Sequence, residues 1–174
     1  TRLLVHRPVY ARYLEMLAGV ADAIKVGDPF DPATNVGPVI SQSALDRILG
    51  MVDRGVADGG RIVTGGARLG GEYEDGYFMG LTILADVAND SERGQQEVFG
   101  PVLAVTPFDS EAEAIALANA TEYGLSAAIT GDPAKAAAVA PRLRAGMVAI
   151  NNWGPSPGAP FGGYKQSGNG REAG

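Results

Sequence analysis

A glutamate and a phenylalanine two positions apart are the residues whose types and spacing most clearly suggest chemistry. Glu97 and Phe99 lie in the segment QEVFGPV, just before a Gly-Pro break and an apolar run. A carboxylate can accept hydrogen bonds from both hydroxyls of a ribose, and a phenyl ring can lie against a flat heteroaromatic ring. If this segment enters a strand, alternation places both side chains on the same side. The alternative is a solvated glutamate beside a core phenylalanine, and residue chemistry alone favours that alternative.

A second candidate region is the glycine-rich segment PFGGYKQSGNGRE, residues 160–172. Phe161 lies between a proline and two glycines, which hold the backbone and leave the ring free to line a pocket. Lys165 and Arg171 with the surrounding glycines could form an anion-binding turn. The spacing matches neither a Walker loop nor a Rossmann glycine motif, so a structural turn is the preferred interpretation.

The remaining reactive residue types do not form a recognisable site. The chain has no cysteine, which excludes a disulfide framework, a thiolate zinc site and a thiol nucleophile within these residues. His6 is the only histidine, and without a partner it is interpreted as a structural or surface residue. Glu72, Glu74 and Asp75 lack the spacing of a calcium loop and are interpreted as a solvated turn. We therefore predict no metal site.

The composition narrows the class of protein and its partners. A length of 174 residues suits one compact domain, and 45% hydrophobic with 20% charged residues is typical of a soluble globular protein. The net charge of -6 predicts no nucleic-acid partner. No apolar run is long enough for a membrane span and no signal peptide opens the chain, so no membrane association and a cytoplasmic location are expected.

Hydrophobic periodicity predicts an α/β fold around these residues. Helices are predicted at 9–24, from a cap at Ser41 to about 59, at 110–120 after a cap at Asp109, and at 133–146 with a break at Pro141. Strands are predicted at 61–66, 77–87, 101–108, 125–130 and 147–152. The alternation of strands and helices favours a parallel-rich sheet with flanking helices.

Six segments, taken together, resemble the aldehyde dehydrogenase superfamily. They are TRLLVH, VGDPFDPATNVGPVIS, EVFGPVLAV, YGLSAAI, AGMVAINN and PFGGYKQSGNGREAG, spread in the family's order from Thr1 to Gly174. The resemblance covers the whole chain and implies an incomplete catalytic domain of the aldehyde dehydrogenase type. It also implies a reaction in which an aldehyde is oxidised to its acid with NAD or NADP.

The resemblance implies that the catalytic residues are not in this chain. Family members use a cysteine nucleophile, which would lie a few residues before Thr1, and a general-base glutamate and a dinucleotide-binding domain further upstream. A strand used for oligomerisation would follow Gly174. Residues 1–174 are therefore expected to be inactive alone, as part of a parent protein that is a homodimer or homotetramer.

The family motifs assign roles to individual residues here. The resemblance implies that Glu97 holds the nicotinamide ribose hydroxyls and that Phe99 packs beside the nicotinamide. Phe161 would line the aldehyde tunnel, and Trp153 would lie at the variable substrate mouth.

The second predicted helix departs from the family at its ribose contacts. Ala44 stands where members often have a glutamine, and Arg47 stands where they often have a lysine. Arg47 is still expected to contact the cofactor, with a planar guanidinium in place of a compact ammonium.

Two alternatives to a dehydrogenase remain open at this stage. One is a non-catalytic folded domain that only binds or assembles. The other is a related acyl-phosphate reductase, which would share the fold and the cysteine nucleophile but would not need a glutamate to activate water.

Overall fold

The computed structural model describes residues 1–152 and 158–174, and their contacts divide the chain into two compact units. The first unit is Thr1–Asp109 and the second is Ser110–Gly174. Chain length alone favoured one compact domain and did not anticipate this division. Within the described ranges, no helix is both long and apolar enough to cross a lipid bilayer.

The first unit is built on a four-stranded sheet. Its strands are β1 (Arg2–His6), β2 (Arg61–Thr64), β3 (Thr82–Ala85) and β4 (Val102–Phe108), in the spatial order β1-β4-β3-β2. The pairs β1/β4 and β3/β4 are parallel, whereas the edge strand β2 is antiparallel to β3. The predicted α/β fold with a parallel-rich sheet is confirmed.

Two long helices pack with this sheet, and one short helix packs with the second of them. They are α1 (Arg7–Ala23), α2 (Gln42–Ala57) and α3 (Glu92–Gln95). The predicted cap of α2 is confirmed, because the Ser41 hydroxyl accepts a hydrogen bond from the Ala44 N–H at 3.2 Å. Helix α1 begins two residues earlier than predicted, with Pro8 in its first turn, where a missing N–H does no harm.

The core of the first unit consists of separate apolar clusters. One cluster joins α2 to the approach to β4 and contains Leu45, Ile48, Met51, Val52, Met79, Val98 and Val102. Another joins α1 to the sheet and contains Val5, Leu14, Ala21, Ile83, Ala85 and Val105. On α2, Leu45, Ile48, Met51 and Val52 are buried, Leu49 is half-buried, and Val56 near the end of the helix is 41% exposed. The strand predicted over 77–87 is shorter, since only Thr82–Ala85 pairs along the sheet.

The second unit contains shorter elements. They are α4 (Glu111–Asn119), β5 (Tyr123–Gly124), β6 (Ser126–Ile129), α5 (Pro133–Val139), β7 (Met147–Ile150) and β8 (Tyr164–Lys165). Strands β6 and β7 are parallel, and β5 and β8 are antiparallel. The predicted break at Pro141 is confirmed, because α5 ends at Val139 and a 3₁₀ turn covers Ala140–Arg142.

The predicted cap of α4 is wrong by one residue. The Ser110 hydroxyl, not the Asp109 carboxylate, accepts the hydrogen bond from the Glu113 N–H at 3.2 Å. Asp109 instead pairs with the Arg7 guanidinium within the first unit, and a charge-assisted pair of this kind competes with capping for the same carboxylate.

Candidate functional site

The segment containing Glu97 and Phe99 is a loop between α3 and β4. Phe99 has a φ of 50°, in the left-handed region that side chains other than glycine rarely adopt. The expectation that strand alternation would point Glu97 and Phe99 to one side therefore does not apply, because the backbone here is not extended. What positions these residues is the packing of the loop itself.

The loop is held by its middle residue and exposes the residues on either side. Val98 is only 4% exposed and belongs to the α2 cluster, whereas Phe99 is 77% exposed and Glu97 is also exposed. The alternative of a core phenylalanine is therefore wrong. Within the described residues, the Glu97 carboxylate has no hydrogen-bond or ion-pair partner, so both of its oxygens are available as acceptors.

Gly100 lets this loop lie directly on α2. A Cβ atom at Gly100 would stand 2.5 Å from Cδ1 of Ile48, a fully buried residue of the helix. Such a distance is far below van der Waals contact, so a side chain here would displace either the loop or Ile48.

Arg47 lies beside the same loop. One guanidinium nitrogen, Nη2, donates a 2.8 Å hydrogen bond to the carbonyl oxygen of Val98, and Nη1 lies 3.2 Å from Sδ of Met51. The structure thus brings together three of the residues selected from the sequence, Arg47, Glu97 and Phe99. Ala44 occupies the first turn of α2, and its methyl group offers no hydrogen bond to a ligand.

A buried arginine behind the loop was missed by sequence reasoning. Arg93 in α3 is 1% exposed, and its Nε and Nη1 atoms have no hydrogen-bond partner among the residues that the structure describes. Its stem packs against Gly55 of α2, where a Cβ atom would stand 2.6 Å from Cγ of Arg93. Burial lowers the pKa of the Arg93 guanidinium below its usual value. The one sequence signal was a glycine in the interior of α2, which indicates a close approach without saying to what.

Charges at the surface of α3 are better compensated. Arg54 of α2 forms two hydrogen bonds to the Glu92 carboxylate, at 2.8 and 3.1 Å. The Arg54 hydrogen bonds hold the pKa of Glu92 below its usual range. Glu92 is also the nearest acid to Arg93, 3.8 Å from Nη2, a distance at which the attraction is weaker than a direct hydrogen bond.

The second unit contains the other candidate residues. Phe161 is 45% exposed and its backbone exchanges hydrogen bonds of 2.7 and 2.9 Å with Glu172, which fixes the start of the glycine-rich segment. Trp153 lies outside the described residues.

Lys165 and Arg171 stabilise a structural turn, which is the interpretation that the sequence favoured over an anion-binding turn. The Lys165 ammonium donates to the carbonyl oxygens of Asn119, the last residue of α4, and of Thr121 just after it, at 2.7 and 2.8 Å. Arg171 donates to the carbonyl oxygens of Gly163 and Gly170, both at 2.8 Å. These cations bind backbone acceptors of the turn, so the turn is stabilised from within.

His6 and the acidic residues complete the set of candidates. The His6 ring stacks on Phe108 with centroids 5.3 Å apart, which agrees with the structural role expected for it. In residues 1–152 and 158–174, no group of three or more His, Asp or Glu side chains is placed to hold a metal ion.

Comparison with known proteins defines the class. A model of the aldehyde dehydrogenase family matches residues 1–174. A betaine aldehyde dehydrogenase from Sinorhizobium fredii is 42% identical over 174 residues, which is 99% of this chain and 36% of that protein. The chain therefore belongs to the aldehyde dehydrogenase family, and it spans about a third of the length of the relatives it matches.

Solved structures agree with this assignment. An aldehyde dehydrogenase from Mycobacterium tuberculosis complexed with NAD+ superposes with a TM-score of 0.94 at 41% identity, over 99% of this chain and 36% of that chain. A betaine aldehyde dehydrogenase from Staphylococcus aureus in complex with NAD+ also gives 0.94, at 40% identity, over 99% of this chain and 35% of that chain. The fold is that of an incomplete aldehyde dehydrogenase.

Proposed function

We propose that this chain is part of the catalytic domain of an NAD(P)+-dependent aldehyde dehydrogenase that oxidises an aldehyde to a carboxylic acid. The observation that carries the proposal is the loop in which Glu97 and Phe99 are exposed on either side of the buried Val98. An unpaired carboxylate beside an open aromatic ring fits the ribose and nicotinamide of a pyridine dinucleotide.

The residues of this chain would bind and orient the cofactor. The Glu97 carboxylate would accept hydrogen bonds from the nicotinamide ribose hydroxyls, and the Phe99 ring would lie beside the nicotinamide. When bound, NAD(P)+ supplies the hydride acceptor of the reaction. The relatives from M. tuberculosis and S. aureus were solved with NAD+, which supports NAD+ as the first cofactor to test.

The aldehyde would be handled by the second unit. Phe161 is half-exposed on a segment fixed by backbone hydrogen bonds, which supports a role in lining the substrate tunnel. Trp153 is proposed for the substrate mouth on the family resemblance alone. The aldehyde itself is not specified by these residues.

The nucleophile and the general base would come from a longer protein. This chain contains no cysteine and spans about a third of its relatives, so we propose that a cysteine, a base glutamate and a dinucleotide-binding domain precede it. A C-terminal strand for a homodimer or homotetramer would follow. The longer protein is proposed to act in the cytoplasm on a small-molecule aldehyde, without a nucleic-acid or membrane partner.

The test uses both the chain and the longer protein. In the longer protein, Glu97→Gln removes charge and acceptor capacity at nearly constant size, so kcat/KM should fall by roughly 10- to 100-fold. Glu74→Gln, in an exposed turn, is the matched control and should leave kcat/KM unchanged. An unchanged kcat/KM in the Glu97 variant would contradict the ribose role. The purified 174-residue chain should produce no NADH from NAD+ and a panel of aldehydes.

Two other functions are tested by simple observations. A non-catalytic binding domain is favoured only by the lack of cysteine, and a cysteine encoded a few residues before Thr1 would exclude it. An acyl-phosphate reductase would form an acyl phosphate in the presence of inorganic phosphate, whereas the dehydrogenase forms the free acid.

A further inference from the structure

One face of α2 contacts the segment from Glu92 to Gly100 at both ends. Arg47 and Arg54 are seven residues apart, which is about two helical turns and places them on the same face. Arg54 binds the Glu92 carboxylate at 2.8 and 3.1 Å, and Arg47 binds the Val98 carbonyl at 2.8 Å. The helix therefore holds α3 with one arginine and the exposed loop with the other.

Close packing accompanies each of these polar contacts. Near Arg54, Gly55 makes room for the stem of Arg93, and near Arg47, Ile48 lies against Gly100. The segment thus packs closely on α2 at two places, through the Arg93 side chain at Gly55 and through its own backbone at Gly100. Glu97 and Phe99 are exposed on either side of the buried Val98, and Gln96 before them is exposed as well.

The Val98 carbonyl is the atom that links Arg47 to the geometry of Phe99. This carbonyl belongs to the peptide plane that includes the Phe99 nitrogen, and the φ of 50° at Phe99 describes rotation about the next bond. A left-handed φ is unfavourable for a residue with a side chain and persists only where the surroundings impose it. The charge-assisted hydrogen bond from Arg47 to the Val98 carbonyl restrains the orientation of that peptide plane and so provides such a constraint.

We propose that Arg47 is a positioning residue, whose guanidinium holds the Val98 carbonyl and thereby sets the orientation of Glu97 and Phe99. The effect of Arg47 on the orientation of Glu97 and Phe99 is a property of this chain alone. Its effect on dinucleotide binding rests on the proposed function. Arginine suits the task because its rigid planar group also contacts Met51 Sδ at 3.2 Å, which fixes the direction of the donor.

This role differs from a direct contact between Arg47 and the ribose in one measurable respect. A residue that only binds the ribose affects the protein when the dinucleotide is present. A residue that holds Val98 constrains the loop at all times. Removal of Arg47 should therefore loosen Phe99 in the absence of any dinucleotide.

The first experiment measures backbone order by ¹⁵N relaxation in the chain without dinucleotide. In the wild type, Val98 and Phe99 should have order parameters of about 0.85, and in Arg47→Met the value at Phe99 should fall to roughly 0.6 or below. Arg54→Met is the matched control, because it removes the other arginine of the same face. It should lower order at Glu92–Gln95 and leave Phe99 unchanged.

Conservative variants keep the experiment decisive. Arg47→Lys retains a cationic donor and should restore part of the order at Phe99. If Arg47→Met does not fold, Arg47→Gln is measured instead, since glutamine favours a helix but is too short to reach the Val98 carbonyl in the same way. An order parameter at Phe99 equal to that of the wild type in the variant measured would overturn the proposal.

The second experiment separates this inference from the proposed function. In the longer protein, Arg47→Met should raise KM for NAD+ by roughly 10-fold, with a smaller change in kcat. The free energy contributed by one charge-assisted hydrogen bond corresponds to a change in affinity of about that size. Loss of order together with a raised KM supports both proposals. Loss of order with an unchanged KM supports the positioning role and contradicts the dinucleotide role of the loop. Retained order overturns the positioning role whatever the KM.

Discussion

The two units of the molecule are stabilised in different ways. In the part of the chain that the structure describes, Ile115 and Ala136 are the only buried hydrophobic side chains of the second unit, and all the others belong to the first. The first unit has several apolar clusters, which join α1 to the sheet and α2 to the approach to β4. Its stability should therefore come mainly from burial of apolar surface.

The second unit depends more on polar contacts to its backbone. The side chain of Asn119, at the end of α4, donates to the Arg142 carbonyl at 2.9 Å and accepts from the Arg144 N–H at 2.7 Å. Lys165 binds the Asn119 carbonyl beside them. The comparison teaches that one family fold combines a unit specified by packing with a unit specified by hydrogen bonds at turns.

The largest expected effect tests the packing of the first unit. Leu45→Ala removes a fully buried side chain of α2 and should lower the free energy of unfolding by about 2–5 kcal/mol. The matched change in the second unit, Ile129→Ala, removes a half-buried side chain of β6 and should lose no more than about half as much. Urea unfolding followed by circular dichroism measures both. Equal losses would show that the two units rely on packing to the same extent.

The next effect has the opposite sign. Arg93→Met replaces a buried guanidinium, two of whose nitrogens have no hydrogen-bond partner in residues 1–152 and 158–174, by an apolar side chain, and should raise the free energy of unfolding by about 1–4 kcal/mol. Arg54→Met removes the ion pair between Arg54 of α2 and Glu92 of α3 at the surface, and should change the free energy of unfolding by less than about 1 kcal/mol. The same urea titration applies. A loss of stability in the Arg93 variant would mean that the buried cation has a partner that stabilises it.

The smallest effect concerns the polar contacts of the second unit. Lys165→Met removes two hydrogen bonds to carbonyl oxygens near the end of α4 and should lower the free energy of unfolding by about 1–2 kcal/mol. Lys135→Met, in the exposed part of α5, should stay within about 0.5 kcal/mol of the wild type. Thermal unfolding of the two variants in parallel distinguishes them. If both variants match the wild type, the second unit is not specified by these contacts.

The regular elements were predictable because local patterns determine them. The apolar spacing of α1 and α2, the Ser41 cap and the break at Pro141 are all read from neighbours within a few positions, and each is present in the structure. The parallel-rich sheet followed from the order of strands and helices, since a parallel pair needs a crossover between its strands.

The geometry of the candidate site was less predictable because it depends on contacts distant in sequence. The sequence singled out Glu97 and Phe99 as one segment, but it predicted neither the exposure of Phe99 nor its left-handed φ, because both depend on how the loop packs on α2. Arg93 was missed because charged residues are rarely buried, and its stem packs against Gly55, 38 residues earlier in the chain. The helix cap moved to Ser110 because Arg7 competes for Asp109.

The contact between Gly100 and Ile48 limits the order in which this loop can change. A side chain at Gly100 would overlap Cδ1 of Ile48, so alanine at this position requires a shift of the loop or of Ile48 and is accommodated best once the helix residue is smaller. Directed evolution of the loop should therefore acquire a substitution such as Ile48→Val before any substitution of Gly100. Redesigned loops that leave the sequence of α2 unchanged should retain glycine at position 100.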